Sequence, residues 1–346
     1  MFDINLLLND SLTSAEEISS SFDVSRLGLD RTVQRYPALI NSYYRDLALD
    51  AGDPVLRQVL PDPEEISLRN EEMAEDPVGE DRYSPVPNLA HRYPDRVLFL
   101  ISDRCPIYCR FCTRKRKVGR SLEVTEKTIR DGIDYIIKHP GIRDVLLSGG
   151  DPLMLDEERL NQILSEIRDI PHVQIVRIGT RVPAAMPGRV SPGLATLLSG
   201  FSPLYIHTHF NHPAEITAES RHACRLLADA GIPLGNQTVL LRGINDDPDT
   251  LEKLFRELLL MRVRPYYLFQ MDAVRGTRHF STPLTTGVRI MNELRRRTSP
   301  MALPEFVVDL PGGEGKAFPA ETSVLYPGTP EQAVITPGGK VVPYPD

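Results

Sequence analysis

The 346-residue sequence predicts an α/β fold, a partial (β/α)6 TIM-like barrel with a helical N-terminal extension and a C-terminal cap. From Arg96 onward, short apolar runs alternate with segments of helical period, as expected of βαβ units joined by right-handed crossovers. Six such units make most of a (β/α)8 barrel and leave one side open. The length suits about two domains, or one large barrel with extensions.

Residues 1–95 are the expected extension. They are charged and proline-interrupted, with helical stretches at 14–21 and 30–49, breaks at PDPEE and PVPN, and no strand-like alternation. Residues 96–300 are the expected barrel. Its strand candidates are VLFLIS (97–102), DVLLSGG (144–150), VQIVRIG (173–179), LYIHTHF (204–210), PLGNQTVLL (233–241) and RPYYLFQM (264–271). Their continuous apolarity suits parallel strands buried on both faces. Amphipathic helical patterns lie between them at 125–138, 156–169, 191–198, 217–230 and 248–262. Asp247 is placed as an N-cap, with Pro248 at the first helical position. Residues 301–346, rich in glycine and proline, are the expected cap.

Composition narrows the function classes. Forty Lys plus Arg against 47 Asp plus Glu leave a net charge of −7, without the basic field of a nucleic-acid binder. No apolar run approaches the ~20 residues of a membrane span. The N-terminus MFDINLLLND lacks the positive charge of a secretory signal, so a cytoplasmic location is expected. Three of four cysteines fall within eight residues, a poor disulfide framework and a good metal site in a reducing compartment.

Cys105, Cys109 and Cys112 follow directly on the first barrel strand, at the strand end where barrel enzymes place their chemistry. Structural zinc and ordinary ferredoxin clusters take four protein ligands, yet the fourth cysteine, Cys224, sits inside a helical pattern. Three thiolates suit a [4Fe–4S] cluster with one iron left open. The CPIYCRFC spacing resembles the radical S-adenosylmethionine (SAM) superfamily, in which the amino and carboxylate groups of SAM occupy that iron. LLSGGDPL then matches the Gly-rich element of such barrels, where Gly149 and Gly150 bring backbone close to the SAM amino group and Asp151 stands where the superfamily usually has Glu.

Asp309-Leu-Pro-Gly-Gly-Glu-Gly-Lys316 is the second informative stretch, since a lysine on a Gly-rich loop can form a Schiff base with an aldehyde cofactor. Together with CPIYCRFCTRKR, SGGDPL, THFNHPAEIT and GNQTVLLRGIND in this order, it resembles the lysine 2,3-aminomutase family over residues 85–325. The resemblance implies pyridoxal phosphate (PLP) as well as SAM, with Lys316 carrying PLP and Arg92, Tyr93 and Arg96 contacting it. It implies Gln237, with Gly149, Gly150 and Asp151, on the cofactor side. Arg114 is implied to grip the substrate carboxylate, and Asp272 and Asp309 to receive the distal ammonium of lysine. A buried cation requires such compensation, whereas glutamate would call for cationic or amide groups there. The family's activity moves the amino group from Cα to Cβ, with an electron donor such as flavodoxin or ferredoxin and a homo-oligomeric assembly also implied.

Alternatives stay open at this point. His207, His209 and His212 resemble a metal-ligand cluster at a strand end, although hydrogen-bonding residues at the barrel mouth are preferred. Cys224 reads as a small buried hydrophobe. Action on another amino acid, modification of elongation factor P, and a radical SAM enzyme without PLP are the competing functions. No cysteine follows Lys316, so the metal-binding tail of longer family members is not expected.

Overall fold

A computed structural model describes residues 8–67, 73–120 and 122–319, with the short strands Val324–Leu325, Ala333–Ile335 and Val341–Pro343. Its centre is a nine-stranded sheet in sequential order. Strands β2 (Arg96–Ser102), β3 (Asp144–Gly149), β4 (Ile175–Gly179), β5 (Leu204–Thr208), β6 (Leu234–Leu240), β7 (Val263–Gln270) and β8 (Glu305–Asp309) run parallel. Antiparallel β1 (Leu89–Tyr93) and β9 (Lys316–Ala317) lie at the two ends, and the sheet does not close.

All six strands expected from the apolar runs are present. The structure adds β1, inside the segment read as free of strands, and β8, inside the expected cap. β1 was missed because LAHRY carries the ionisable residues His91, Arg92 and Tyr93, and β8 because its short apolar run Phe306–Val308 is set among proline and glycine residues that read as the cap. The strands also alternate in burial instead of being covered on both faces. Val145 and Leu147, Val176 and Ile178, and Leu204 and Ile206 pack outward into the main core, while the opposite residues face an internal cavity.

Helices α1 (Ala15–Phe22), α2 (Leu29–Arg35) and α3 (Ser42–Ala51) precede the barrel. The single helical stretch expected over 30–49 is therefore two helices. Pro37 lies between them, and the Asn41 side chain accepts from Tyr44 N to begin the second. Between the strands run α4 (Glu126–Lys138), α5 (Glu157–Arg168), α6 (Pro192–Ser199), α7 (Ala218–Asp229) and α8 (Pro248–Leu260), each started by a side-chain cap, Asp247 among them as expected. A further helix, α9 (Leu284–Arg297), connects β7 to β8 and packs Ile290, Met291 and Leu294 into the core.

The N-terminal helices have their own apolar cluster, in which Ile18, Ile40, Tyr44 and Val55 close over Ile107 and Ala185. Ile40 bridges to Ile107, and Tyr108 N donates to Leu39 O at 2.9 Å, so this extension clamps the cysteine loop. Among the described residues no helix is long and apolar enough to cross a membrane.

Candidate active site

A cavity of about 640 Å³ fills the inside of the open barrel. Cys105, Cys109 and Cys112 line it, as do Arg92, Tyr93, Arg96, Arg114, Gly149, Gly150, Asp151, Gln237, Asp272, Asp309 and Lys316. Every site residue expected from the sequence thus meets the same space, although Arg92 and Lys316 lie more than two hundred residues apart.

The cysteine loop leaves β2 and is irregular, so its shape depends on outside anchors. Asn41 Nδ2 donates to Pro106 O at 3.0 Å, and Arg110 N donates to Gln58 O at 2.9 Å. Arg110, between two cysteines, is buried in an ion pair with Glu65 at 2.5 Å, and Lys115 reaches the same carboxylate at 2.7 Å. The three thiols are free. Burial and the charges of their neighbours, chiefly the other cysteines, push Cys105 well up and Cys112 up to about 11. A loop that gathers mutually repelling thiolates in a cavity wall fits iron, which removes that cost. Among the described residues no three His, Cys, Asp or Glu side chains converge on a single ion, as a mononuclear site would require. Cys224 is fully buried in the apolar core.

The histidines are spent differently. His212 caps a short helix at Ala214 N, and His209 Nε2 contacts Asn211 Oδ1 at 3.1 Å. Burial lowers His209 to about 3 and His207 to about 4, so both face the cavity as neutral rings.

Gly149 and Gly150 are required by packing. A Cβ on Gly149 would lie 2.2 Å from Ser102 O, and one on Gly150 would lie 2.3 Å from Arg104 O. Their absence of side chain lets the end of β3 press against the start of the cysteine loop, where Gly150 N donates to Ser102 O. Asp151 is likewise occupied by protein. Its carboxylate accepts from Thr180 Oγ1 at 2.7 Å, Arg181 N at 2.7 Å and Leu153 N at 3.0 Å, which ties the β3 loop to the β4 loop. Gln237 projects from β6 into the cavity.

On the opposite wall, Lys316 and Asp309 are direct partners across the β8–β9 ladder. Between them Gly312, Gly313 and Gly315 all have positive φ, so these glycines serve the tight turn. Arg92 and Arg96 stack on the Tyr93 ring, at 4.8 and 3.9 Å from its centroid. Two guanidinium groups beside an amine fit an anionic aldehyde cofactor such as PLP. Lys316 Nζ also lies 4.5 Å from the centroid of Phe269.

Arg114 and Asp272 occupy the space between the cysteines and this wall. Arg114 Nε donates to Glu80 Oε1 at 2.9 Å, and its Nη1 makes a 3.5 Å contact to Ser148 Oγ. Asp272 accepts from Thr113 Oγ1 at 2.8 Å, its side chain's one hydrogen bond among the described residues. Burial first, offset in part by that hydroxyl, and then the nearby charge of Asp309 push it up to about 6.

Sequence reasoning missed Glu80, Thr113 and the buried group around Arg181. Arg181 donates to Cys109 Sγ at 2.7 Å and to Glu215 Oε1 at 2.8 Å, with Gln58 Oε1 at 2.5 Å. Its place directly after a predicted strand was a usable signal. Glu80 carried none, since its partner lies 34 residues away.

The radical SAM superfamily model matches residues 99–255. A protein of Fusobacterium nucleatum named L-lysine 2,3-aminomutase is 45% identical over 334 residues, 95% of this chain and 78% of the relative. One of the same name from Clostridium subterminale is 49% identical across 84% of this chain and 70% of its own. A glutamate 2,3-aminomutase of Clostridioides difficile is 43% identical across 89% and 73%. Identity at this level over most of the length, together with a cysteine loop and a lysine facing one cavity, means that the chain belongs to the lysine 2,3-aminomutase family of the radical SAM superfamily.

Proposed function

We propose that the protein is an isomerase that converts L-lysine to β-lysine by moving the amino group from Cα to Cβ, with a [4Fe–4S] cluster, SAM and PLP as cofactors. The observation that carries the substrate is Asp272, a buried carboxylate that accepts from one hydroxyl and has no ion-pair partner among the described residues, with Lys316 and Arg114 acting on it only from a distance. An ammonium entering the cavity would relieve that carboxylate's desolvation, whereas a second carboxylate would be repelled. The relative that is named for glutamate keeps that substrate in view, and Asp272 weighs against it here.

Cys105, Cys109 and Cys112 would hold three irons and leave the fourth for SAM, with Gly149, Gly150 and Gln237 beside it. Lys316 would carry PLP, with Arg92, Tyr93 and Arg96 around it. The cluster with SAM supplies one-electron cleavage of an unactivated C–H bond, and PLP supplies the conjugation that lets nitrogen migrate. Asp309 accepts from Lys316 Nζ at 2.5 Å and so orients the amine in the cavity. Glu80 fixes the Nε edge of Arg114, which turns the rest of the guanidinium toward a substrate carboxylate. Arg114 and Asp272 then define the two ends of a bound amino acid, and the barrel walls keep water from its centre. A one-electron donor, self-association and a cytoplasmic setting complete the reading.

The test is anaerobic reconstitution with iron, sulfide and PLP, then incubation with L-lysine, SAM and dithionite and direct assay of β-lysine. Formation of β-lysine, with a PLP absorption band lost in Lys316→Ala, is expected. Faster turnover of glutamate, ornithine or arginine than of lysine overturns the substrate, and a PLP band unchanged in Lys316→Ala removes that residue's role.

A further inference from the structure

We propose that a groove on the outer side of the cysteine loop is the docking surface for an acidic one-electron carrier protein. The proposal rests on the reading above, because a carrier is needed only if the loop holds a reducible cluster.

The groove is separate from the active-site cavity and measures about 590 Å³. Its rim is built from Arg31, Arg35, Arg120 and Arg275, of which the first three are exposed. Glu75 pairs with Arg35 at 3.3 Å and with Arg275 at 2.9 Å. Arg31 and Arg120 have no carboxylate against them among the described residues; Arg120 donates only to the carbonyl of Gln34, at 3.4 Å. Among the described residues, four guanidinium groups therefore face one surface carboxylate, in a chain whose net charge is −7.

The floor connects this rim to the cysteines. Tyr36 and Glu65 form it. On its inner side Glu65 is spent on Arg110 at 2.5 Å and Lys115 at 2.7 Å, residues that flank Cys112 in the chain. Tyr36 O accepts from Arg110 Nη2 at 3.2 Å, and Lys115 Nζ lies 4.8 Å from the centroid of the Tyr36 ring. One layer of side chains thus separates the groove from the loop.

An acidic partner is repelled by the chain as a whole and attracted at this rim, so the charge distribution steers it to one place. That place is also the one where a carrier comes close to the loop without entering the substrate cavity. One electron leaves the carrier, which is oxidised, and enters the cluster, which is reduced; no bond forms or breaks.

The experiment uses the cluster-loaded full chain and reduced flavodoxin as the acidic carrier. Arg31→Glu with Arg120→Glu is expected to weaken flavodoxin affinity at least tenfold at low salt, measured calorimetrically, and to slow flavodoxin-driven cluster reduction followed by electron paramagnetic resonance. Reduction by dithionite should be unchanged, and Lys138→Glu, on α4, should bind flavodoxin like the parent. Unchanged affinity in the double variant, or an equal loss in Lys138→Glu, overturns the docking surface. Neither result touches the aminomutase reading, which dithionite-driven β-lysine formation tests without any carrier.

Discussion

Asp309 accepts from Lys316 Nζ at 2.5 Å through one carboxylate oxygen and from Arg92 Nη2 at 3.1 Å through the other. Asp272, which shares the cavity, has no ion-pair partner among the described residues and feels Lys316 and Arg114 only from a distance. The two carboxylates assigned to one task therefore stand in different electrostatic states before any ligand arrives: one is neutralised by the protein and the other waits.

Asp272→Asn is the sharper probe of substrate charge. Removing one partner of a buried charge pair costs about 3 kcal/mol, which is roughly a hundredfold in kcat/KM for lysine. The cluster's spectrum and the PLP band should be intact. Steady-state kinetics within twofold of the parent would exclude this residue from the ammonium site.

Asp272 also predicts a pH dependence. The folded protein keeps its proton up to about 6, while the unfolded chain loses it near 3.8, so the native state binds more protons between these values. Stability must then fall as pH rises through that window, by about 3 kcal/mol for a shift of this size. Lysine binding, which needs the carboxylate, should strengthen over the same range. Urea unfolding from pH 4 to 6 checks this: the parent should lose stability relative to Asp272→Asn across that range, and parallel pH profiles in the two proteins contradict it.

Glu80 acts through Arg114. Glu80→Gln keeps the shape but removes the charge that holds the guanidinium at 2.9 Å, and KM for lysine should rise about tenfold for a loss of roughly 1.4 kcal/mol. kcat should change much less, since the bond-breaking groups are untouched. A fall in kcat with KM constant would give Glu80 a different role.

Gly150→Ala should fail at assembly. The added methyl group meets backbone oxygen at 2.3 Å, so the cysteine loop must shift. Iron and sulfide per chain should drop after reconstitution, and the melting temperature should fall. Full cluster content in a stable variant would show that the loop tolerates the change.

Arg181→Leu leaves Glu215 buried without its cation, a loss of about 3 to 5 kcal/mol. Arg181→Leu with Glu215→Gln should recover much of that stability in thermal unfolding. If the double variant is no more stable than the single one, the ion pair is not what holds this part of the core.

The sequence by itself marked the candidate site residues, which the fold brings to one cavity, and six of the parallel strands. Cysteine spacing, the Gly-rich turn before Lys316 and apolar runs are local patterns, and the backbone reads them locally. Only the tertiary structure decided which charges meet. Glu80 with Arg114, Glu65 with Arg110 and Lys115, and Arg181 with Cys109 join distant segments, and their partners cannot be paired without knowing the fold. The same holds for Asp151, whose carboxylate is filled by Thr180 and Arg181. Strand β1 was hidden because an edge strand is stabilised by the sheet it joins and its own residues need little apolar signal, and β8 because its short apolar run lies among turn-forming prolines and glycines.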